Sequence, residues 1–356
     1  MLYSFIYQEK GSVGLDILSI INKLSEHPSP SGFEHSASKW LETYMSRFFE
    51  KTDTDSFGNV YGIRKCGKKN AKCLLLDAHI DEIGLIVTGE KDGFLTFATL
   101  GGVDPRILPA CEVTVLSNPP RDGVITVSPP HLLTAKDMEN AVSIEDLFID
   151  VGAEGKSGIE VGTPVVFTSS PVKLRENYVS ARALDDRASL ASILRAIDML
   201  KGKKLNFDIV AVASAQEELG CRGARVAGYS VDPDWAIVVD VTHGTTPGAD
   251  KSSTFDCGSG VAIGVGPNMT KKMSDALIAV AKDKKIAHSI EVCAGHSGTN
   301  AWTVQTVREG IATGLLSIPL KYMHTPVETV KKNDVEAVAK LIYEFVLWLS
   351  SGGAVL

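Results

Sequence analysis

One stretch restricts this chain more than any other: Leu74-Leu75-Leu76-Asp77-Ala78-His79-Ile80-Asp81. A short continuous apolar run reads as a buried strand. This one passes without a turn into histidine and aspartate, so a rigid element ends where ligand chemistry begins. Any fold that accommodates it must bury the strand and bring partners to His79 and Asp81 at its end.

The remaining sequence has the texture of such a fold. Strands are expected at 60–63 and 73–79, and from Tyr178 onward strand and helix patterns alternate: helix 186–200, strand 207–213, a shorter helix after Gly220, strands 236–240 and 261–264, helix 271–284, strand 289–293, a helix near Ala301, strand 311–316 and helix 334–349. Alternation of this kind implies an α/β fold with a mixed central sheet covered by helices. Residues 85–176 differ. Short β-rich runs such as Val113–Leu116 and Gly123–Val127 are broken by glycine and proline, with only a short helix expected at 143–147. That pattern suggests a small barrel or sandwich inserted into the chain. The expected organisation is therefore residues 1–84 as the first part of a catalytic domain, 85–176 as the β-rich insert, and 177–356 as the second part. Near the start, a helix is expected at 15–24. Ser31 and Glu34 have capping-box spacing ahead of a helix whose apolar face carries Ala37, Trp40, Leu41 and Tyr44.

Composition removes several classes of function. A formal net charge of −7 argues against a nucleic-acid partner. No segment offers the roughly 18 apolar residues of a membrane span. The first ten residues lack the basic start and apolar run of a secretory signal, so a cytoplasmic location is expected. Six scattered cysteines without C-x-x-C spacing read as free thiols in a reducing compartment.

Five polar clusters sit at or just after apolar strands: His79-Ile80-Asp81, Leu184-Asp185-Asp186-Arg187, Gln216-Glu217-Glu218-Leu219-Gly220, Val238-Val239-Asp240-Val241-Thr242, and Tyr322-Met323-His324-Thr325-Pro326. Open α/β sheets place their sites beyond strand ends. Singly, each cluster has a structural reading: a hydrogen-bonded histidine, a helix cap, a solvated acidic pair. Jointly, two histidines with several carboxylates form the mixed nitrogen and oxygen donor set suited to Zn²⁺, Co²⁺ or Mn²⁺. Two such ions would need a bridging carboxylate, and hydrolysis would need a further carboxylate free to act as base. The adjacent Glu217 and Glu218 could divide those tasks.

These five clusters, together with Pro30-Ser31-Gly32-Phe33-Glu34 and Gly298-Thr299-Asn300-Ala301-Trp302, resemble the tetrahedral (TET) and glutamyl aminopeptidases, a two-metal peptidase family that includes proteins labelled cellulase M. The resemblance runs through nearly the whole chain in the family's order. It implies that Asp185 bridges two divalent ions, Zn²⁺ or Co²⁺. His79 and Asp240 would complete one shell, and Glu218 and His324 the other. Glu217 would be the general base, and Asp81 would orient the His79 ring through its second nitrogen. It further implies a strained peptide after Asp185, a dimerisation role for the insert, and a homo-oligomer that extends in the family to a hollow tetrahedral dodecamer. The function implied is an aminopeptidase acting on peptide substrates. The alternatives are an endo-1,4-β-glucanase, a related di-metal amidohydrolase, or a scaffold without chemistry. A glycosidase needs two carboxylates and no transition metal, so the full donor set argues against the glucanase. Thr242-His243-Gly244 departs from the family pattern, and His243 and His296 are read as pocket or loop histidines outside the ligand set.

Overall fold

The computed structural model describes residues 16–134, 142–153 and 155–355; the ten amino-terminal residues read for a signal lie outside them. Helices α1 (Ile17–Ser25) and α2 (His35–Met45) precede the hairpin of β1 (Lys51–Thr54) and β2 (Val60–Arg64), and then β3 (Cys73–His79). Strands β4 (Gly84–Lys91), β5 (Phe94–Leu100), β6 (Glu112–Val115), β7 (Arg121–Thr126), β8 (Phe148–Asp150) and β9 (Pro164–Phe167) follow. The chain continues through β10 (Val172–Lys173), β11 (Tyr178–Ala181), α3 (Leu184–Met199), β12 (Asp208–Ser214), α4 (Arg222–Val231) and β13 (Trp235–His243). It ends with β14 (Val261–Val265), α5 (Lys271–Asp283), β15 (His288–Val292), α6 (Ala301–Val304), β16 (Ala312–Lys321), β17 (Glu328–Lys331) and α7 (Lys332–Ser350).

The fold is α/β with an inserted β-rich domain. Eleven strands form one mixed sheet, in which the path β1-β2-β12-β3-β13-β16-β17-β11-β10 is joined by β14 and β15. Its centre is a parallel block, with β12 and β13 flanking β3, and β16 beside β13. The leucine run belongs to β3 and serves both faces. Leu74 and Leu76 pack into a large core with α1, α3 and α7, whereas Leu75 meets Ala224 and Ala227 of α4 and Ala301 and Val304 of α6. A strand covered on both sides needs no polar alternation, and each fully buried leucine contributes about 1.5–3 kcal/mol. Helices on both faces therefore explain why the sequence reads as an unbroken apolar run.

Strands β4 to β9 close into a six-stranded barrel in the order β4-β5-β8-β7-β6-β9. Its core contains Leu85, Leu95, Val113, Val115, Ile125 and Ile149. The chain passes from β3 to this barrel over only four residues, and a buried ionic cluster fixes the crossing. Arg187 is fully buried and donates to the Ser29 hydroxyl at 2.6 Å, to the Ile80 carbonyl at 3.2 Å and to Glu82 at 3.3 Å. Arg182 pairs with the other Glu82 oxygen, so neither charge is left alone.

The capping box at Ser31 and Glu34 does not form. Glu34 instead accepts the Gly32 N–H at 2.9 Å and the Gln216 N–H at 3.0 Å, while Ser31 Oγ has no partner. The loop after β12 supplies a buried backbone donor that wins this carboxylate from the helix start. All six cysteines are free thiols. Among the described residues, no helix is long and apolar enough to cross a membrane.

Candidate metal centre

The C-terminal ends of the parallel block converge on one place, as expected for an open α/β sheet. His79 is the last residue of β3. Asp77 pairs with Val238, so His79 and Asp240, each two residues further on, leave their strands on a common face. Glu217 and Glu218 follow β12, Asp185 opens α3, and His324 follows β16. The Asp185–Asp186 peptide bond is cis. Non-glycine residues with left-handed backbone gather here too, with φ of 55° at Gln216, 61° at Tyr322 and 59° at His324, a conformation that surrounding structure must enforce.

All six donors meet. His79 Nε2 lies 3.0 Å from Asp185 Oδ1. His324 Nε2 lies 3.5 Å from Asp185 Oδ2 and 3.4 Å from Glu218 Oε1. Donor atoms within 4.8 Å of one another form three groups: His79 with Asp185 and Asp240, Asp185 with Glu218 and His324, and His79 with Glu217 and Glu218. The first two share Asp185. Mixed imidazole and carboxylate triads of this kind suit a divalent cation.

The electrostatics agree. Burial pushes the Asp240 and Glu218 carboxyls up, and it raises Glu217 to about 7. Burial alone would lower the two histidines, but hydrogen bonds to Asp185 and its neighbours outweigh it, with His324 raised to about 11. Asp185 shows the converse: despite burial, the two imidazoles hold it below the usual carboxylate range. The cluster holds more carboxylates than two histidines can neutralise, which is the imbalance that a bound divalent cation relieves.

Asp81 faces the second ring nitrogen of His79 as expected, with its main chain making the closer contact. His79 Nδ1 faces the Asp81 backbone carbonyl at 3.0 Å, and the Asp81 carboxylate is further away, at 3.5 Å. That carboxylate instead accepts the backbone N–H groups of Glu217 and Glu218, at 2.9 and 3.1 Å. Its side chain thus places the glutamate pair, and its main chain orients the histidine.

Two further residues carry the site without a clear sequence signal. Glu328 is buried and accepts the Asp185 N–H at 3.0 Å and the His324 N–H at 2.8 Å. The Gly102 carbonyl, just past barrel strand β5, faces His324 Nδ1 at 3.0 Å and leaves Nε2 turned to the carboxylates. Their contribution passes through backbone atoms, which residue types do not reveal. The centre opens into a cavity of about 490 Å³ whose wall includes Thr242, His243, Glu291 and His296. His243 and His296 fall outside all three donor groups, and the His296 ring packs against Trp302 with centroids 4.3 Å apart.

The sequence model described as M42 glutamyl aminopeptidase matches residues 58–341. Lysyl aminopeptidase of Pyrococcus furiosus is 35% identical over 331 residues, 90% of this chain and 94% of its own length. An aminopeptidase of the archaeon Desulfurococcus kamchatkensis superposes with a TM-score of 0.85 at 34% identity, over 96% of this chain and 98% of its own. The TET1 peptidase of Pyrococcus horikoshii, which can assemble into a tetrahedron or a large octahedral shell, gives 0.79 at 28% identity, over 92% and 98%. A Thermotoga maritima structure described as an endoglucanase gives 0.73 at 27% identity, over 93% and 99%.

Proposed function

From membership of the M42 glutamyl aminopeptidase family, to which this chain belongs, we infer a two-metal aminopeptidase that uses Glu217 as its general base. The convergence of His79, Asp185, Glu217, Glu218, Asp240 and His324 at the mouth of one cavity carries this reading. In it, His79, Asp185 and Asp240 would hold one ion, and Asp185, Glu218 and His324 would hold the other. Zn²⁺ and Co²⁺ both suit these donors. When bound, such a pair polarises a scissile carbonyl and acidifies an attacking water.

The protein's own groups do the rest. Nδ1 of each histidine is engaged by a backbone carbonyl, which leaves Nε2 as the donor. The Glu217 carboxylate lines the cavity beside Glu218, outside both triads that share Asp185. It takes the water's proton at a carboxylate oxygen and returns it to the departing amine nitrogen. Asp81 keeps it in place through the Glu217 N–H.

The Thermotoga maritima endoglucanase among the structural neighbours raises β-1,4-glucan hydrolysis as a second reading. That reaction needs a carboxyl pair on either side of a sugar ring. Here Asp185 and Glu218 are both committed to histidines, so the donor set favours the peptidase.

Residues 85–176, which include most of the barrel, are assigned as the insert that pairs subunits, with 1–84 and 177–356 as the catalytic unit. The shell-forming Pyrococcus horikoshii relative supports a homo-oligomer built from such dimers. Light scattering should return a multiple of two chains, and the mass of a single chain would contradict the assignment.

The general base is tested by Glu217→Gln. The variant should bind the same metal complement by elemental analysis and lose about 10²–10⁴-fold in kcat. Turnover within a few-fold of the parent would remove Glu217 from the role.

A further inference from the structure

Glu291 lines the same cavity but stands outside the metal-binding groups. On β15 its neighbours Ile290 and Val292 are 43% and 75% exposed. Strand alternation therefore turns the intervening carboxylate the other way, into the cavity. Two hydroxyls fix it there. Thr242 Oγ1 donates to Oε1 at 2.5 Å, and Ser317 Oγ donates to Oε2 at 2.6 Å. Both donors are buried and belong to β13 and β16, and Ser317 is the register partner of Asp240. The carboxylate is thus tied to the strand pair that carries a proposed metal ligand.

A carboxylate has about four acceptor positions. One hydroxyl on each oxygen leaves room for further donors. Neither hydroxyl neutralises the charge, and no lysine or arginine stands among the described residues that line the cavity. An anchored carboxylate that lies outside the three donor groups, and that no lysine or arginine of the cavity wall neutralises, is open to a cation brought by the ligand.

Resting on the aminopeptidase reading of this cavity, we propose that Glu291 reads the first side chain of the substrate and selects lysine or arginine there. An ammonium or guanidinium offers donors only, and its charge-assisted bonds to a carboxylate are about twice as strong as neutral ones. An acidic first residue meets a like charge. An apolar one buries the carboxylate without a counter-charge. The α-ammonium of the substrate is the competing cation, and it is common to every peptide. A carboxylate that held it would act on all substrates equally.

The test compares kcat/KM on lysyl-, arginyl-, leucyl- and glutamyl-p-nitroanilides. The parent protein should favour the two basic substrates. Glu291→Gln should lower the lysyl-to-leucyl ratio at least tenfold, and Glu291→Lys should move the preference toward glutamyl. Thr242→Val unties Oε1 and leaves the carboxylate in place. It should lower the same ratio by a smaller factor, which keeps the test open if Glu291→Gln does not fold. A uniform fall on all four substrates would overturn the inference and give Glu291 to the α-amine. An unchanged ratio would overturn it as well. If the parent cleaves none of the four, the aminopeptidase reading falls and takes the inference with it; cleavage with no basic preference removes the inference alone.

Discussion

At the scale of the residue, Asp81 and Glu328 show how much of this site is held by carboxylates that touch backbone. Asp81 spends both oxygens on the N–H groups of Glu217 and Glu218, and Glu328 spends both on those of Asp185 and His324. Each acid thus fixes two donors of the centre at once. A hydrogen bond of this kind contributes about 0.5–1.5 kcal/mol net, and the pair made by Glu328 helps to hold His324 in left-handed backbone. The convergence of the six side chains at the centre was legible because each carries its polar group at or just after the end of an apolar run. The backbone contacts of Asp81 were not, because i,i+2 spacing on a strand predicts a shared face, while β3 stops at His79, two residues before Asp81. Glu291 was equally silent. It sits in an ordinary strand, and only the hydroxyls of two distant strands make it a fixed charge.

At the scale of the element, the barrel and the catalytic sheet meet at the loop after β5. Gly102 presents its carbonyl to His324, and a Cβ on Gly102 would stand 2.7 Å from His324 Nδ1. The preceding Gly101 is also close, with a Cβ position 3.1 Å from Glu218 Oε2. Two small residues therefore let the insert close over one half of the metal centre. Gly102→Ala should push the imidazole away and weaken metal binding by about 10–100-fold, the usual effect of losing a group that orients a ligand. Metal titration followed by elemental analysis reads this, and parental affinity would show that the contact is incidental. Alternation of apolar runs and turns was sufficient to separate the β-rich insert from the α/β sheet. It left barrel and sandwich both open and did not predict strand order, which depends on pairings far apart in sequence, such as β4 with β9. The failed capping box has the same origin: Glu34 is claimed by Gln216, a residue on a different element.

At the scale of the whole molecule, one feature of topology explains why the centre exists. Strands β12, β3, β13 and β16 run parallel, so four separate segments end on the same edge and deliver a histidine or carboxylate there. Helices on both faces leave that edge as the open surface of the sheet, and the barrel loop borders it on one side. In the proposed function, this edge removes N-terminal residues from peptides with the help of bound divalent metal. Rates of purified protein on leucyl- and lysyl-p-nitroanilide, on their N-acetylated forms and on soluble β-1,4-glucan, each before and after chelation, test it most directly. Release is expected from the free-amine substrates alone, abolished by chelator and restored by Zn²⁺ or Co²⁺. Glucan cleavage that survives chelation, with no release from either free-amine substrate, would contradict it.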